Sequence, residues 1–374
     1  MNRAFAAGLA GAVVVALGWG GAARADARAP VGVFSAFDGS GALLAPLQAS
    51  APRPARPRLR LGEYHDDWSF SPDRSQVALG MGGQGNCGRG ICIVGVRRMR
   101  IARWVPAPIA VEAVAWLAPR RIVGVLQRGG VIVADPVTGT IRRTTPLGFQ
   151  VYAPPVARTS EGLVMLKDAS LPRLARINAD GDVSVAELPR IGPGAGLAAG
   201  GPRARAFVVS SGEPVAEVNL RTMRVRYHRV RMPGATGRLE ALWLGRGKFA
   251  VTDVRGGVQV IDTRTWKART VSRRATSARL AAGRLLVWSE TERVGLDVFT
   301  RDGRRLVRHT LGKRELTVEV VGRNAYAFGP FGRRGRAWTV RARTGKLIRS
   351  TAPPPRGHEL DVLSSPIGSA GVPR

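Results

Sequence analysis

Residues 258–271 read VQVIDTRTWKARTV. An apolar run of alternating character leads into a polar turn, and a second alternating run leaves it. Period-two alternation, β-branched residues and turn chemistry together specify a β-hairpin and oppose a helix. The same pattern recurs six more times: ICIVGVRRMRIARWV from Ile91, VIVADPVTGTIRRT from Val131, LARINADGDVSVAEL from Leu174, VAEVNLRTMRVRYHRV from Val215, LDVFTRDGRRLVRHTL from Leu296 and WTVRARTGKLIRST from Trp338. The last residues before the seven turns are Gly95, Asp135, Asn178, Asn219, Asp262, Thr300 and Arg341, at successive spacings of 40, 43, 41, 43, 38 and 41.

Each hairpin is preceded by another strand-length apolar run, at 76–81, 121–126, 162–166, 206–209, 248–251, 285–288 and 325–328. A still earlier strand stands before that, as in Val111 to Leu117 and Leu239 to Leu244. Four short strands in about 41 residues is the period of a propeller blade, whereas helical solenoids of similar period need runs of 10–15 helical residues. The expected fold is all-β: a seven-bladed β-propeller with four-stranded antiparallel blades. Such a ring buries each blade against its neighbours and removes long exposed edges. Val31 to Phe37 and Glu359 to Leu363 are both candidates for the closing strand.

Two stretches carry a family resemblance. GGVQVIDTRTWKA, 256–268, resembles the repeat of YVTN-type surface-layer propellers. WSFSPDRSQVALG, 68–80, resembles the SPDG repeat of WD40-like and TolB-like propellers, with Arg74 where that family usually has Gly. The resemblance implies the propeller fold. Both motifs describe turns, so neither carries site residues across.

The chain ends suggest an address. Residues 1–25 read as a secretory signal peptide, with Arg3 at the start, an apolar stretch from Ala4 to Trp19, and Ala23 and Ala25 at the positions a signal peptidase reads. A retained membrane anchor is the alternative reading of that segment. Residues 26–60, rich in Ala and Pro, read as an N-terminal arm or linker, 61–363 as the propeller, and 364–374 as a flexible tail. Cys87 and Cys92 are the only two cysteines. An even, closely spaced pair in an exported chain suggests a disulfide across a hairpin.

Charge is the remaining compositional feature. The 374 residues carry 58 Lys and Arg against 26 Asp and Glu, a formal +32 that becomes +30 once Arg3 and Arg24 leave with the signal. Only five of the basic residues are Lys. A GC-rich genome accounts for Arg over Lys but not for base over acid, because Asp and Glu also have GC-rich codons. The excess suggests anionic surroundings or an anionic partner.

No catalytic or cofactor motif stands out. The four histidines, at 65, 228, 309 and 358, are too dispersed for a multi-His metal centre. Asn178 to Asp182 faintly resembles a calcium loop, but it falls on a hairpin turn and lacks the remaining ligands. The Gly80 to Gly85 stretch leads into the Cys hairpin rather than into a helix. Asp67, Glu112, Glu240 and Glu315 each stand nine or ten residues before the second strand of a unit, at the start of the innermost strand. In a closed ring these carboxylates would gather near one mouth of the channel, where a divalent cation or a basic group would relieve their repulsion.

The leading expectation is therefore a non-catalytic extracytoplasmic binding or scaffold propeller. It would be secreted or at the cell surface, monomeric, and would engage an anionic envelope polymer or an envelope protein. Peripheral membrane contact is compatible with the charge. Nucleic acid is not expected as a physiological partner, since no aromatic stacking pattern accompanies the Arg residues. The alternative is a lactonase- or hydrolase-like propeller enzyme with a metal among the four acids.

Overall fold

The computed structural model describes residues 32–363, the longest exceptions being 38–41, 233–236, 290–294, 312–316, 329–336 and 350–358. The segment read as a signal peptide and the stretch read as a C-terminal tail lie outside the described residues. Among the described residues there is no helix. Each of the seven repeats forms a four-stranded antiparallel sheet in which neighbours in space are neighbours in sequence. The blades span 65–106, 111–146, 156–187, 196–228, 239–272, 277–310 and 317–349. The chain is thus an all-β propeller with seven four-stranded blades. The second strands of the first two blades, Gln76–Met81 and Arg121–Leu126, coincide with the apolar runs read from the sequence.

Burial explains the residue usage strand by strand. The second and third strands of a blade are covered on both faces. In Gly90–Gly95 all but the last residue are buried, which is why it reads ICIV rather than alternating. The fourth strand lies at the rim. Ile141–Pro146 has no buried residue and can therefore carry Arg142 and Arg143. Apolar clusters run between blades: Ile91, Ile93 and Val105 of blade 1 share a core with Val111, Ile122 and Ile132 of blade 2. Between blades 4 and 5, Phe207 stacks on Trp243 at 5.5 Å and on Phe249 at 5.0 Å.

Every turn between third and fourth strands places one residue in the left-handed region: Met99, Gly139, Gly181, Met223, Trp266, Gly303 and Gly345. Six of these amides, all but that of Met99, close their turns, as in Trp266 N donating to Asp262 O at 2.7 Å and Gly181 N to Asn178 O at 3.1 Å. The turns also join blades. A Cβ on Gly181 would meet Val133 Cγ2 of the preceding blade at 2.5 Å, so this position needs glycine for its contact as well as its φ of 81°. Trp266 fills the equivalent place by stacking on His228 of blade 4 at 3.5 Å.

Closure involves both chain ends. Gly32–Phe37 pairs antiparallel with Glu359–Leu363, and on its other side with Ala42–Gln48. The result is an additional five-stranded sheet, completed by Ala51–Pro54 and Leu59–Arg60. Both candidate closing strands are therefore used. Much of the stretch read as an arm or linker is strand, because it completes a sheet whose innermost strand comes from the far end of the chain. Val33, Ala42 and Leu44 of this sheet share a buried cluster with Val77, Leu79 and Met99 of blade 1. Cys87, in the loop between the second and third strands of blade 1, and Cys92, in the third strand, are disulfide-bonded and buried in that same cluster.

Candidate functional site

The inner strands of blades 1 and 2 run in the same direction. Val114 N donates to Asp67 Oδ2 at 2.8 Å, and two residues further along Trp116 N donates to Ser69 Oγ at 2.9 Å. Turns between first and second strands therefore share one face of the ring with turns between third and fourth strands. Ion pairs between adjacent blades join these two kinds of turn: Arg121 with Asp180, Arg221 with Glu161 at 3.0 Å, and Lys248 with Asp302 at 3.4 Å. The opposite face carries the loops between second and third strands and the connectors between blades. These are the turn face and the connector face.

Of the four carboxylates expected at the channel mouth, three are described. Asp67, Glu112 and Glu240 stand at the second or third position of the inner strands His65–Phe70, Val111–Ala118 and Leu239–Gly245. Glu315 lies outside the described residues. Asp67 is already neutralised. Arg158, on the inner strand of blade 3, reaches across blade 2 and donates to Asp67 Oδ2 at 2.5 Å, to Trp68 O at 2.7 Å and to Val114 O at 2.7 Å. Its guanidinium binds three blades together from the channel side. Nothing in the sequence pointed to Arg158, which is 91 residues from its carboxylate. Glu240 is exposed at its strand start, and Glu112 is half-buried.

The histidines are held in separate structural roles. His65 is buried beside Trp68, and burial pushes its pKa down to about 4. His228 Nε2 meets Glu217 Oε2 at 2.7 Å. His309 Nε2 lies 2.6 Å from Gly345 O of the next blade. His358 lies outside the described residues. Among the described residues, no three His, Cys, Asp or Glu side chains come together as a metal site.

Among the described residues, charge pairing differs between the faces. On the turn face several arginines are paired with acids. Asp135 is fully buried; loss of hydration works against its charge, but the Val137 N–H and the guanidiniums of Arg120 and Arg142 hold its pKa down at about 2. The Asn178 amide, 3.0 Å away, and then Arg143 at 2.7 Å keep the Asp182 carboxyl below the usual range. On the connector face, Arg190, Arg229, Arg231, Arg238, Arg255, Arg273 and Arg274 are all exposed. The segments that carry them are tied side by side across blades 4 to 6. Leu239 N donates to Gly194 O at 2.8 Å, Gly237 N to Asp253 Oδ2 at 3.3 Å, and Gly257 N to Ala275 O at 2.7 Å. Asp253, the described acid within these segments, is buried and turned to backbone N–H groups. Glu240 flanks the arc at its inner edge. Arg190 is propped over the ring of Tyr227, 4.9 Å from its centroid.

No protein-family model matches the chain, and no curated protein matches it in sequence. Solved structures do match in shape. A dihydro-heme d1 dehydrogenase, NirN, in complex with DHE, superposes with a TM-score of 0.62 at 15% identity, over 91% of this chain and 75% of its own. Apo AztD from Citrobacter koseri does so with a TM-score of 0.57 at 10% identity, over 90% and 98%. BamB from Moraxella catarrhalis gives 0.52 at 12% identity, over 79% and 88%. At these identities the likeness is one of fold alone, a β-propeller.

Proposed function

We propose that this propeller is a non-catalytic, extracytoplasmic binding or scaffold protein that attaches to anionic cell-envelope material through its connector face. The observation that carries the reading is the arc of seven exposed Arg residues across blades 4 to 6, set on a chain with a formal charge of +32. A guanidinium offers a planar fork that fits carboxylate and phosphate oxygens two at a time. An arc of exposed guanidiniums on a folded ring presents many such forks without ordering a flexible chain. Export, expected from the N-terminal segment, agrees with the buried disulfide.

The test is co-sedimentation of the purified chain with isolated envelopes. Retention is expected at about 50 mM salt and release by about 500 mM, where screening shortens to a few ångströms. Replacing Arg229, Arg231, Arg273 and Arg274 by Gln should weaken retention at least about tenfold. Replacing Arg97, Arg98, Arg264 and Arg304, exposed on the turn face, removes the same charge and should change it much less. Equal binding at both salt concentrations would refute the electrostatic reading. Equal loss in both variants would refute the assignment to one face.

A second reading rests on exposed Trp104, Tyr152 and Leu171, which lie on or beside the connector face at blades 1 to 3. Large apolar side chains of this kind anchor protein interfaces, so this sector is proposed to dock an envelope protein. Crosslinking in cells from position 152 should capture one partner, and loss of that product in Leu171→Ser checks it.

A further inference from the structure

Arg301 stands apart from the ion-paired turn face. It lies in the third-to-fourth-strand turn of blade 6, half-buried. Its guanidinium rests on two glycines from neighbouring turns. A Cβ on Gly245 of blade 5 would meet Arg301 Nη1 at 3.1 Å, and one on Gly283 of blade 6 would meet Nη2 at 3.4 Å. Both glycines have positive φ, and each is next to another arginine, Arg246 and Arg284. Three guanidinium-bearing positions thus meet where two tight turns lie side by side. Among the described residues Arg301 makes no ion pair, and its Nε is buried without a hydrogen-bond partner. Arg284 spends its Nε on Arg343 O at 3.2 Å, which leaves its terminal nitrogens available. Burial, then the neighbouring charges of Arg246 and Arg284, hold Arg301 below the usual arginine range. The nearest acid in sequence, Asp302, is paired with Lys248.

Burying a guanidinium beside like charges, with a donor unmet, is unfavourable unless an anion completes the set. We propose that Arg246, Arg284 and Arg301 form a binding site for a small oxyanion, a phosphate or sulfate group, at the turn face between blades 5 and 6. A tetrahedral oxyanion has enough acceptor oxygens to meet three guanidiniums at once, and the absence of side chains at Gly245 and Gly283 lets the Arg301 guanidinium lie between the two turns that carry Arg246 and Arg284. The site is separate from the arc on the connector face, and its failure leaves the envelope-attachment reading untouched.

The test is a titration of the full chain with inorganic phosphate at constant ionic strength, followed by phosphorus NMR line broadening. One saturable site is expected. Arg301→Gln should weaken it at least about tenfold, the loss of a charge-assisted pair. Arg246→Gln, on an exposed turn position, should weaken it several-fold. Circular dichroism confirms that both variants are folded. Envelope retention, measured in parallel, should be unchanged in both. Tighter binding of glycerol phosphate than of inorganic phosphate would assign the site to a polymer or lipid end group, and the reverse order to the free ion. Either order supports an oxyanion site. Absence of saturable binding, or binding unchanged in folded Arg301→Gln, would overturn it.

Discussion

Replacing Arg158 by Ala is the most demanding test of how the ring is held together. The side chains of Arg158 and Asp67 are 18% and 13% exposed, so most of the pair is out of water. Truncation leaves the Asp67 carboxylate with the Val114 N–H at 2.8 Å but no counter-charge. It also strips Trp68 O and Val114 O of their donor. Leaving one member of a buried, hydrogen-bonded pair behind costs about 3–5 kcal/mol. For a domain of this size that is a fall of about 6–10 °C in melting midpoint. Urea unfolding followed by tryptophan fluorescence is a suitable assay, since Trp68 and Trp116 flank the pair. A double-mutant cycle with Asp67→Asn and Arg158→Met should return a coupling of about 2 kcal/mol. Little of that coupling should be lost in high salt, because the pair is shielded from solvent. Arg158→Ala within about 1 kcal/mol of wild type, or additive single substitutions, would refute the three-blade staple.

Other substitutions probe the disulfide, a buried base and a turn. Cys87→Ala with Cys92→Ala removes a short covalent loop and should cost about 2 kcal/mol, measured by urea unfolding in parallel with the reduced wild type. His65 is folded in its neutral form with a pKa of about 4 against an ordinary 6.5. Its protonation therefore favours the unfolded chain: stability should be full above pH 6.5 and fall as the pH drops from 6.5 toward 4. His65→Gln should flatten that segment of the stability profile. Gly148 and Gly181 have similar φ, 85° and 81°, but only at Gly181 would a Cβ strike a neighbour. Gly148→Ala should cost about 1 kcal/mol and Gly181→Ala about 2–4 kcal/mol. Equal costs would show that backbone strain alone, not inter-blade packing, selects glycine there.

The blades were legible because the information is local. Within a blade each strand pairs with the next one in sequence, and a hairpin advertises itself by alternation and by its turn. Asp135 and Asp262 could be picked out as turn anchors for the same reason: each carboxylate accepts the backbone N–H two residues on, Val137 and Arg264. The left-handed residues were legible at Gly139, Gly181, Gly303 and Gly345, where glycine marks them. They were not at Met99, Met223 and Trp266, where packing compensates for the strain. Met99 is buried under the closing sheet and Trp266 stacks on His228.

By itself the sequence determined the all-β class, the seven blades, the strand positions within them and the excess of positive charge. Each follows from hydrogen bonds and alternation between residues close in the chain, or from counting ionisable groups. Only the tertiary structure decided where charge is paired and where it is not. Asp67 meets Arg158, and Arg301 lies over Gly245 and Gly283, through a ring that brings residues from different blades together. The same holds for closure. Gly32–Phe37 finds Glu359–Leu363 because the ring brings the first strand of the sheet beside the last. No local pattern encodes that encounter, because its partners are defined by the geometry of the whole ring.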